Sequence, residues 1–399
     1  MRILITTDLY LPAVNGVVTS VVSLVRGLRQ RGHDVRIVTL SDSVHTHTEG
    51  NVTYLGSAPA DFIYPGVRAR VAPTGRVIRD LVLWHPDVVH SQCEFSTFGI
   101  ARKVARICGA VLLHTYHTVY EDYTHYFCPS VRVGRALAAW FTRRIAGKTD
   151  GIIAPTEKVS RLLGSYRVTA PVTVIPTGAE LSDWEINPSS ERAATRRAFG
   201  LPPDGRLLLY LGRLAEEKNI GALLTMLEAP DLCGTMLILA GDGPYRGALR
   251  EKVCRMGLTE RVRFLGMIPH TEVNRVYRMA DVFVNASRSE TQGLTYAEAM
   301  AAGLPVVCRA DPCVTGLIVN GETGFACETE AEMAVAVRRL LTEETLRRRI
   351  VAAARKTVDR TYSAAAFAAA VEQLYLQTIP ERGRCAGVGG ADSRRQYDH

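Results

Sequence analysis

Short runs of Val, Ile and Leu recur along this chain, separated by stretches in which apolar residues return every three or four positions. In the first half ILITT, VRIVTL, VTYLG, DVVHS, VLLHTY, GIIAPT and VTVIPTG read as strands, with amphipathic segments such as Val17 to Arg31 and Phe98 to Cys108 between them. After residue 205 the pattern restarts with LLLYLGR, MLILAGDG, VRFLGMI, VFVNASR, PVVCRA and GLIVNGETGFA. Strands without polar alternation, each followed by a helix, predict an α/β fold of parallel sheets covered on both faces. Two such series predict two doubly wound domains.

VIPTG closes the first series at Gly178, and the polar stretch LSDWEINPSSERAATRR follows it as a linker does. Residues 1–180 are therefore read as one domain and 181–360 as the second. A helix-like stretch, Ser363 to Gln377, comes after the second series is complete. Residues 380–399, small, polar and without pattern, are expected to be a disordered tail.

Length and composition agree with two cores. At 399 residues the chain exceeds what one core usually supports. No apolar run reaches the roughly 18–20 residues of a membrane span. The start, MRILITTDLYLP, lacks the basic region, long apolar core and cleavage site of a secretory signal, so a cytoplasmic protein is expected. Nine cysteines occur without CxxC pairs, and Cys308 and Cys313 are the nearest two; they read as reduced, buried small residues. The net charge of +8 is lopsided: residues 1–180 hold 20 Lys and Arg against 13 Asp and Glu, the remainder 28 against 27. Such asymmetry suits an anionic partner, although a solvated basic face has the same composition.

In parallel α/β sheets ligands bind on the loops at the carboxyl ends of strands. Four of these loops are unusual. Gly16, in LPAVNGV, would open a helix whose free N–H groups suit an anion, and the segment is not the GxGxxG dinucleotide fingerprint. Arg213 and Lys218, in GRLAEEKN, flank a loop entering a helix and could neutralise a diphosphate without a metal; no DxD motif occurs in the chain. The Gly-Asp-Gly turn of AGDGP would let backbone approach the facing domain, though a structural need alone explains it. In SETQGLTYAEAMAAGLPVV, backbone N–H groups at Gly293, Leu294 and Thr295 could hold a phosphate. Glu298 would accept hydrogen bonds from ribose hydroxyls, and Glu290 would lie one ligand unit away, near a sugar.

Together NGV, GRLAEEKN, AGDGP, SETQGLTYAEAMAAGLPVV and NGETGF, in this order, resemble the retaining glycosyltransferases of GT-B fold. Glu290 and Glu298 fit that family's glutamate pair, and the similarity extends to about residue 378. The resemblance implies two facing Rossmann-like domains that close over a sugar nucleotide, hinged near residues 178–184. It implies that the second domain binds the donor, that the first binds the acceptor, and that the segment 361–378 returns to complete the first. It places Gly16, Arg213 and Lys218 at the diphosphate, Glu298 at the ribose, and Glu290 with Gln292 and Gly293 at the donor sugar. Backbone near Met267 and Ile268 would hold the base. His117 would lie by the reacting sugar, and no cofactor or metal is expected.

The stretch HTVYEDYTHYF is similar to that of the bacterial diacylglycerol glucosyltransferases, and CRADPC after the GLPVV strand looks like the same branch. That similarity implies UDP-glucose as donor and diacylglycerol as acceptor, with Tyr120, Tyr123 and Tyr126 on the acceptor side. Arg132, Arg135, Arg143, Arg144 and Lys148 accompany Val133, Leu137, Trp140 and Phe141 at helical spacing. Such a helix can lie in an anionic membrane interface, on the inner face of the cell membrane. A second basic stretch sets Arg68, Arg70, Arg76 and Arg79 beside Val77, Ile78, Leu81 and Trp84. For both, apolar residues that merely pack on a sheet are the competing reading. The expected partners are a sugar nucleotide, diacylglycerol and anionic lipids, with no nucleic acid. Rival readings are transfer of mannose from GDP-mannose to phosphatidylinositol, a soluble sugar acceptor, an epimerase or hydrolase of the same architecture, and a non-enzymatic nucleotide binder.

Overall fold

A computed structural model describes all residues except 14, 61–67, 120, 122–129, 179–188, 289 and 389–399. The chain divides into two units, residues 1–178 with 364–399, and residues 179–363.

The first unit runs β1 (Arg2–Thr6), α1 (Gly16–Gln30), β2 (Asp34–Leu40), β3 (His47–Glu49), β4 (Val52–Leu55), β5 (Ser57–Pro59), β6 (Arg68–Arg70), α2 (Gly75–Trp84), β7 (Val88–Ser91), α3 (Phe98–Cys108), β8 (Val111–Thr115), α4 (Val131–Ala146), β9 (Gly151–Ala154), α5 (Glu157–Ser165) and β10 (Val172–Val174). Its main sheet has the order β10-β9-β8-β7-β1-β2-β4-β3, parallel throughout except for β3, while β5 and β6 form a small separate ribbon. Strand order reverses between β1 and β7, which opens a crevice at their carboxyl ends.

The second unit runs α6 (Ser189–Ala198), β11 (Arg206–Leu211), α7 (Ile220–Leu227), β12 (Thr235–Ala240), α8 (Arg246–Arg255), β13 (Val262–Gly266), α9 (Val273–Met279), β14 (Val282–Asn285), α10 (Leu294–Ala301), β15 (Val306–Arg309), β16 (Phe325–Cys327), α11 (Glu330–Thr342) and α12 (Glu344–Thr361). Its sheet, β13-β12-β11-β14-β15-β16, is parallel, with the switch between β11 and β14. Both sheets bury both faces, which is why their central strands are nearly continuous Val, Ile and Leu.

The last helix, α13 (Ala364–Val388), packs on α1. A Cβ added to Gly27 would stand 2.5 Å from the Ala368 Cβ, so the two helices meet at small residues. Phe367, Val371 and Tyr375 join the core of the first unit, and Glu372 pairs with Arg31 and, at 2.7 Å, with His33. The helix continues past Pro380 to Val388, into the segment expected to be a disordered tail; residues 389–399 lie outside the described residues. Residues 381–387, ERGRCAG, still include strong helix formers beside one proline, and the lost hydrogen bond at Pro380 does not end the helix.

Two other expectations differ from the structure. GLIV is not a strand: Leu317 and Ile318 are buried, but only Phe325–Cys327 pairs with β15. In NGETGF, Asn320 accepts from the Ala326 N–H at 2.6 Å, and Thr323 Oγ1 donates to the Leu317 carbonyl at 2.7 Å, so that motif is a folded turn. The hinge expected near 178–184 falls, apart from Gly178, outside the described residues.

Candidate active site

In the second unit the loops after β11 and β14 meet at the switch point. After β11 the chain passes Gly212, exposed Arg213 and buried Leu214, then turns at Glu216–Lys218 into α7. Lys218 Nζ donates to Glu290 Oε1 at 2.8 Å, both side chains being largely buried. Loops 72 positions apart in sequence are thus joined by one ion pair.

The neighbouring Gly-Asp-Gly turn meets the structural need that alone explains its glycines. A Cβ on Gly241 would lie 2.0 Å from the Gly212 carbonyl oxygen, and one on Gly243 would lie 2.4 Å from that of Leu214. The Leu214 N–H donates to the Asp242 carbonyl at 3.0 Å. These glycines let the loops after β11 and β12 touch within one unit.

Gly293 precedes α10 with φ 71°, in the left-handed region that glycine tolerates, and its missing side chain leaves space for the Tyr296 ring, 2.4 Å from where a Cβ would stand. Leu294 and Thr295 then open the helix, in the first turn, where N–H groups have no partner within the helix. Gln292 is buried at the turn. Glu298 lies one turn into α10, where its Oε2 accepts a 2.8 Å hydrogen bond from Tyr277 Oη on α9. Tyr277 is fully buried, and its hydroxyl pKa is pushed well above the ordinary value by burial first and by the Glu298 carboxylate second. Sequence reasoning missed Tyr277, because nothing in the chain indicates which of 15 tyrosines touches which glutamate. Ile268, after β13, is half-buried against the core, while Met267 beside it is exposed.

In the first unit Asn15 caps α1, its side chain accepting from the Val18 N–H at 3.0 Å. Gly16 is the first helical residue, and a Cβ there would meet nothing within 4 Å. Neither packing nor backbone conformation demands glycine at this position.

His117 follows β8, and its Nε2 lies 2.8 Å from Gln92 Oε1 at the end of β7. Burial pulls its pKa from the usual 6.5 to about 4; Glu94 opposes the shift and His114 adds to it. Beneath it His90 is fully buried between Tyr375 Oη and Thr115 Oγ1, each 2.7 Å away, and burial lowers its pKa to about 3. Both rings are therefore neutral imidazoles at neutral pH. The Asp8 carboxylate, after β1, accepts from the N–H groups of Ser96 and Thr97 at 2.9 and 2.8 Å and pins the loop that follows Gln92.

The two basic segments separate. On α2, Ile78, Leu81 and Trp84 are buried on the sheet, and Arg68 on β6 is tied to the Ser41 carbonyl and to Ser57, while Arg70, Arg76, Arg79 and Leu83 are exposed. On α4 the buried face is Gly134, Ala138, Thr142 and Ile145. Val133, Leu137 and Trp140 face outward, 52%, 49% and 54% exposed, among exposed Arg132, Arg135, Arg143 and Arg144. Arg135 pairs with Glu121 at 3.0 Å, Arg143 reaches the Tyr166 carbonyl at 3.0 Å, and the Arg144 guanidinium lies 5.8 Å from the Trp140 ring centre. Tyr120, Tyr123 and Tyr126 lie outside the described residues. No helix among the described residues is long and apolar enough to cross a membrane.

Residues 14–183 match the model of Glycosyltransferase Family 4, and residues 191–357 that of Glycosyl transferases group 1. The chain is 34% identical to the alpha-monoglucosyldiacylglycerol synthase of Streptococcus pneumoniae over 84% of its length and 77% of the relative's. It is 30% identical to that of Acholeplasma laidlawii over 96% and 99%. A GDP-mannose-dependent alpha-mannosyltransferase of Mycolicibacterium smegmatis is 29% identical over 91% and 94%. Among solved structures, Anabaena Alr3699/HepE in complex with UDP and glucose superposes with a TM-score of 0.72 at 17% identity, covering 94% of this chain and 99% of that one. The sucrose-phosphate synthase of Thermosynechococcus elongatus gives 0.72 at 22%, covering 95% and 99%. The folds are the same, and with relatives at 30% identity or more across both units, the chain belongs to the GT-B glycosyltransferases as a sugar-nucleotide-dependent hexosyltransferase.

Proposed function

We propose that this enzyme moves glucose from UDP-glucose to diacylglycerol with retention of configuration, forming alpha-monoglucosyldiacylglycerol at the inner surface of the cell membrane. The observation that carries the lipid reading is α4, which turns Val133, Leu137 and Trp140 to solvent within a ring of arginines. An apolar stripe of this kind inserts at the headgroup boundary while the guanidinium groups meet anionic lipid. Relatives named alpha-monoglucosyldiacylglycerol synthase at 30–34% identity support the same acceptor.

In this reading Arg213, Lys218 and the first N–H groups of α10 hold the donor diphosphate, so that two cations and a helix N-terminus supply the charge. Glu298, oriented by Tyr277, takes the ribose hydroxyls. Glu290 takes hydroxyls of the glucose, with Gln292 and Gly293 beside it, and backbone near Ile268 takes the base. Before donor binding the Lys218–Glu290 pair keeps both charges compensated. The diphosphate then competes for Lys218 and frees the carboxylate for the sugar. Gly16 leaves room for the diphosphate at the start of α1. His117 meets the sugar as a neutral imidazole and, with its backbone carbonyl, stabilises the developing oxocarbenium charge. The leaving phosphate accepts the proton of the attacking hydroxyl on the same face of the sugar, and no protein nucleophile is needed. No metal is required in this scheme.

Titration calorimetry with UDP-glucose and GDP-mannose in EDTA, together with flotation on phosphatidylglycerol and phosphatidylcholine vesicles, tests donor and surface. Binding of UDP-glucose alone and flotation with the anionic vesicles alone are expected. Preferential binding of GDP-mannose, the donor named for the Mycolicibacterium relative, overturns the donor assignment.

A further inference from the structure

We propose that Gln92 is a positioning residue for sugar transfer, its side-chain oxygen fixing the orientation and tautomer of His117. This rests on the assignment of His117 to the reacting sugar. Gln92 sits at the end of β7, its N–H bonded to the Thr6 carbonyl at 2.8 Å, and only 2% of it is exposed. Its Oε1 lies 2.8 Å from His117 Nε2, and a carbonyl oxygen only accepts. The imidazole proton is therefore on Nε2, and Nδ1 carries the lone pair. The charged and titratable groups facing the ring are Glu94 on the following loop and His114 on β8, with His90 in the same cluster. Gln92 adds no charge to them, so it holds the ring without drawing a second proton onto it.

The second observation is the other end of the amide. Gln92 Nε2 is buried and has no hydrogen-bond partner among the described residues. An unpartnered buried donor destabilises a fold, and an apolar side chain of similar shape avoids that loss. The one hydrogen bond that the Gln92 side chain makes among the described residues is that of Oε1 with His117.

This gives the proposal a sign that a structural role does not share. Gln92→Met removes the bond to His117 and the unpartnered N–H together. It is expected to leave the Tm unchanged or raised, to lower kcat about 10- to 100-fold through loss of ring alignment, and to leave KM for the donor within about 3-fold. Nitrogen NMR of His117 in the variant should show the Nε2–H tautomer giving way to a mixture. Gln92→Glu should raise the His117 pKa, since a carboxylate favours the imidazolium, and add an acid limb to the pH profile of kcat. His117→Ala in parallel separates the two claims. If His117→Ala keeps full activity, the assignment of His117 falls, and this proposal with it. If His117→Ala is inactive while Gln92→Met keeps wild-type kcat and an unchanged His117 spectrum, Gln92 alone is refuted. A Gln92→Met enzyme that loses Tm and activity together also refutes it, because Gln92 is then structural.

Discussion

One hydrogen bond, from Tyr277, orients the Glu298 carboxylate proposed to take the ribose hydroxyls. The Tyr277 hydroxyl holds one carboxylate oxygen at 2.8 Å from a fully buried ring. Glu298→Ala should weaken UDP-glucose binding about 100-fold, as expected when paired hydroxyls lose a charged acceptor, and calorimetry measures it. Tyr277→Phe keeps the packing and should weaken binding about 3- to 10-fold while stability changes by about 1 kcal/mol or less. Unchanged donor affinity in Glu298→Ala contradicts the ribose assignment. Lys218→Ala should be worse than Glu290→Gln, because it removes a cation and leaves the Glu290 charge facing the diphosphate.

At the same scale, buried His90 links stability to pH. Its folded pKa of about 3 lies below the 6.5 of the unfolded chain, so the unfolded state binds the extra proton between those values. Its contribution is complete above about pH 6.5 and is lost as the pH falls towards 3; His117, at about 4, acts in the same direction. The fall in Tm from pH 7 to pH 5 should be smaller in His90→Gln than in the wild-type protein. An equal fall shows that His90 is not held neutral. None of these pairings was legible in the sequence. Lys218 and Glu290 are 72 positions apart, His117 and Gln92 25, and Tyr277 and Glu298 21, and spacing does not say which side chains meet.

Among elements, α4 and α10 repay comparison. The long apolar strands were legible because a strand buried on both faces needs Val, Ile and Leu throughout. The three-residue strands β3, β5 and β6 were not, since HTE, SAP and RAR carry no periodicity. For α4 the sequence left two faces possible. The structure packs Gly134, Ala138, Thr142 and Ile145, with Phe141 half-buried, and leaves Val133, Leu137 and Trp140 exposed. Leu137→Ser with Trp140→Ser should therefore cost little stability, within about 0.5 kcal/mol per site, yet abolish flotation with anionic vesicles. A large drop in Tm shows instead that the stripe is packed. Gly293→Ala, whose Cβ would collide with Tyr296 at a positive φ, should destabilise the second unit by about 1–2 kcal/mol or more.

For the whole molecule, two units of mainly parallel sheet were legible from the doubling of the strand pattern, while the strand order that sets each switch point was not. The reach of the last helix was less so: α13 returns to α1 through Gly27 and Ala368, a contact between residues 341 positions apart. The excess of positive charge in residues 1–180 fits a first unit that works against an anionic surface. The measurement that tests this account most directly is transfer of radiolabelled hexose from UDP-glucose and GDP-mannose, in parallel and in EDTA, to mixed micelles with and without diacylglycerol and anionic lipid. The account predicts lipid-soluble label only from UDP-glucose and only with diacylglycerol, increased by anionic lipid. Label from GDP-mannose, or product found only in water, contradicts it.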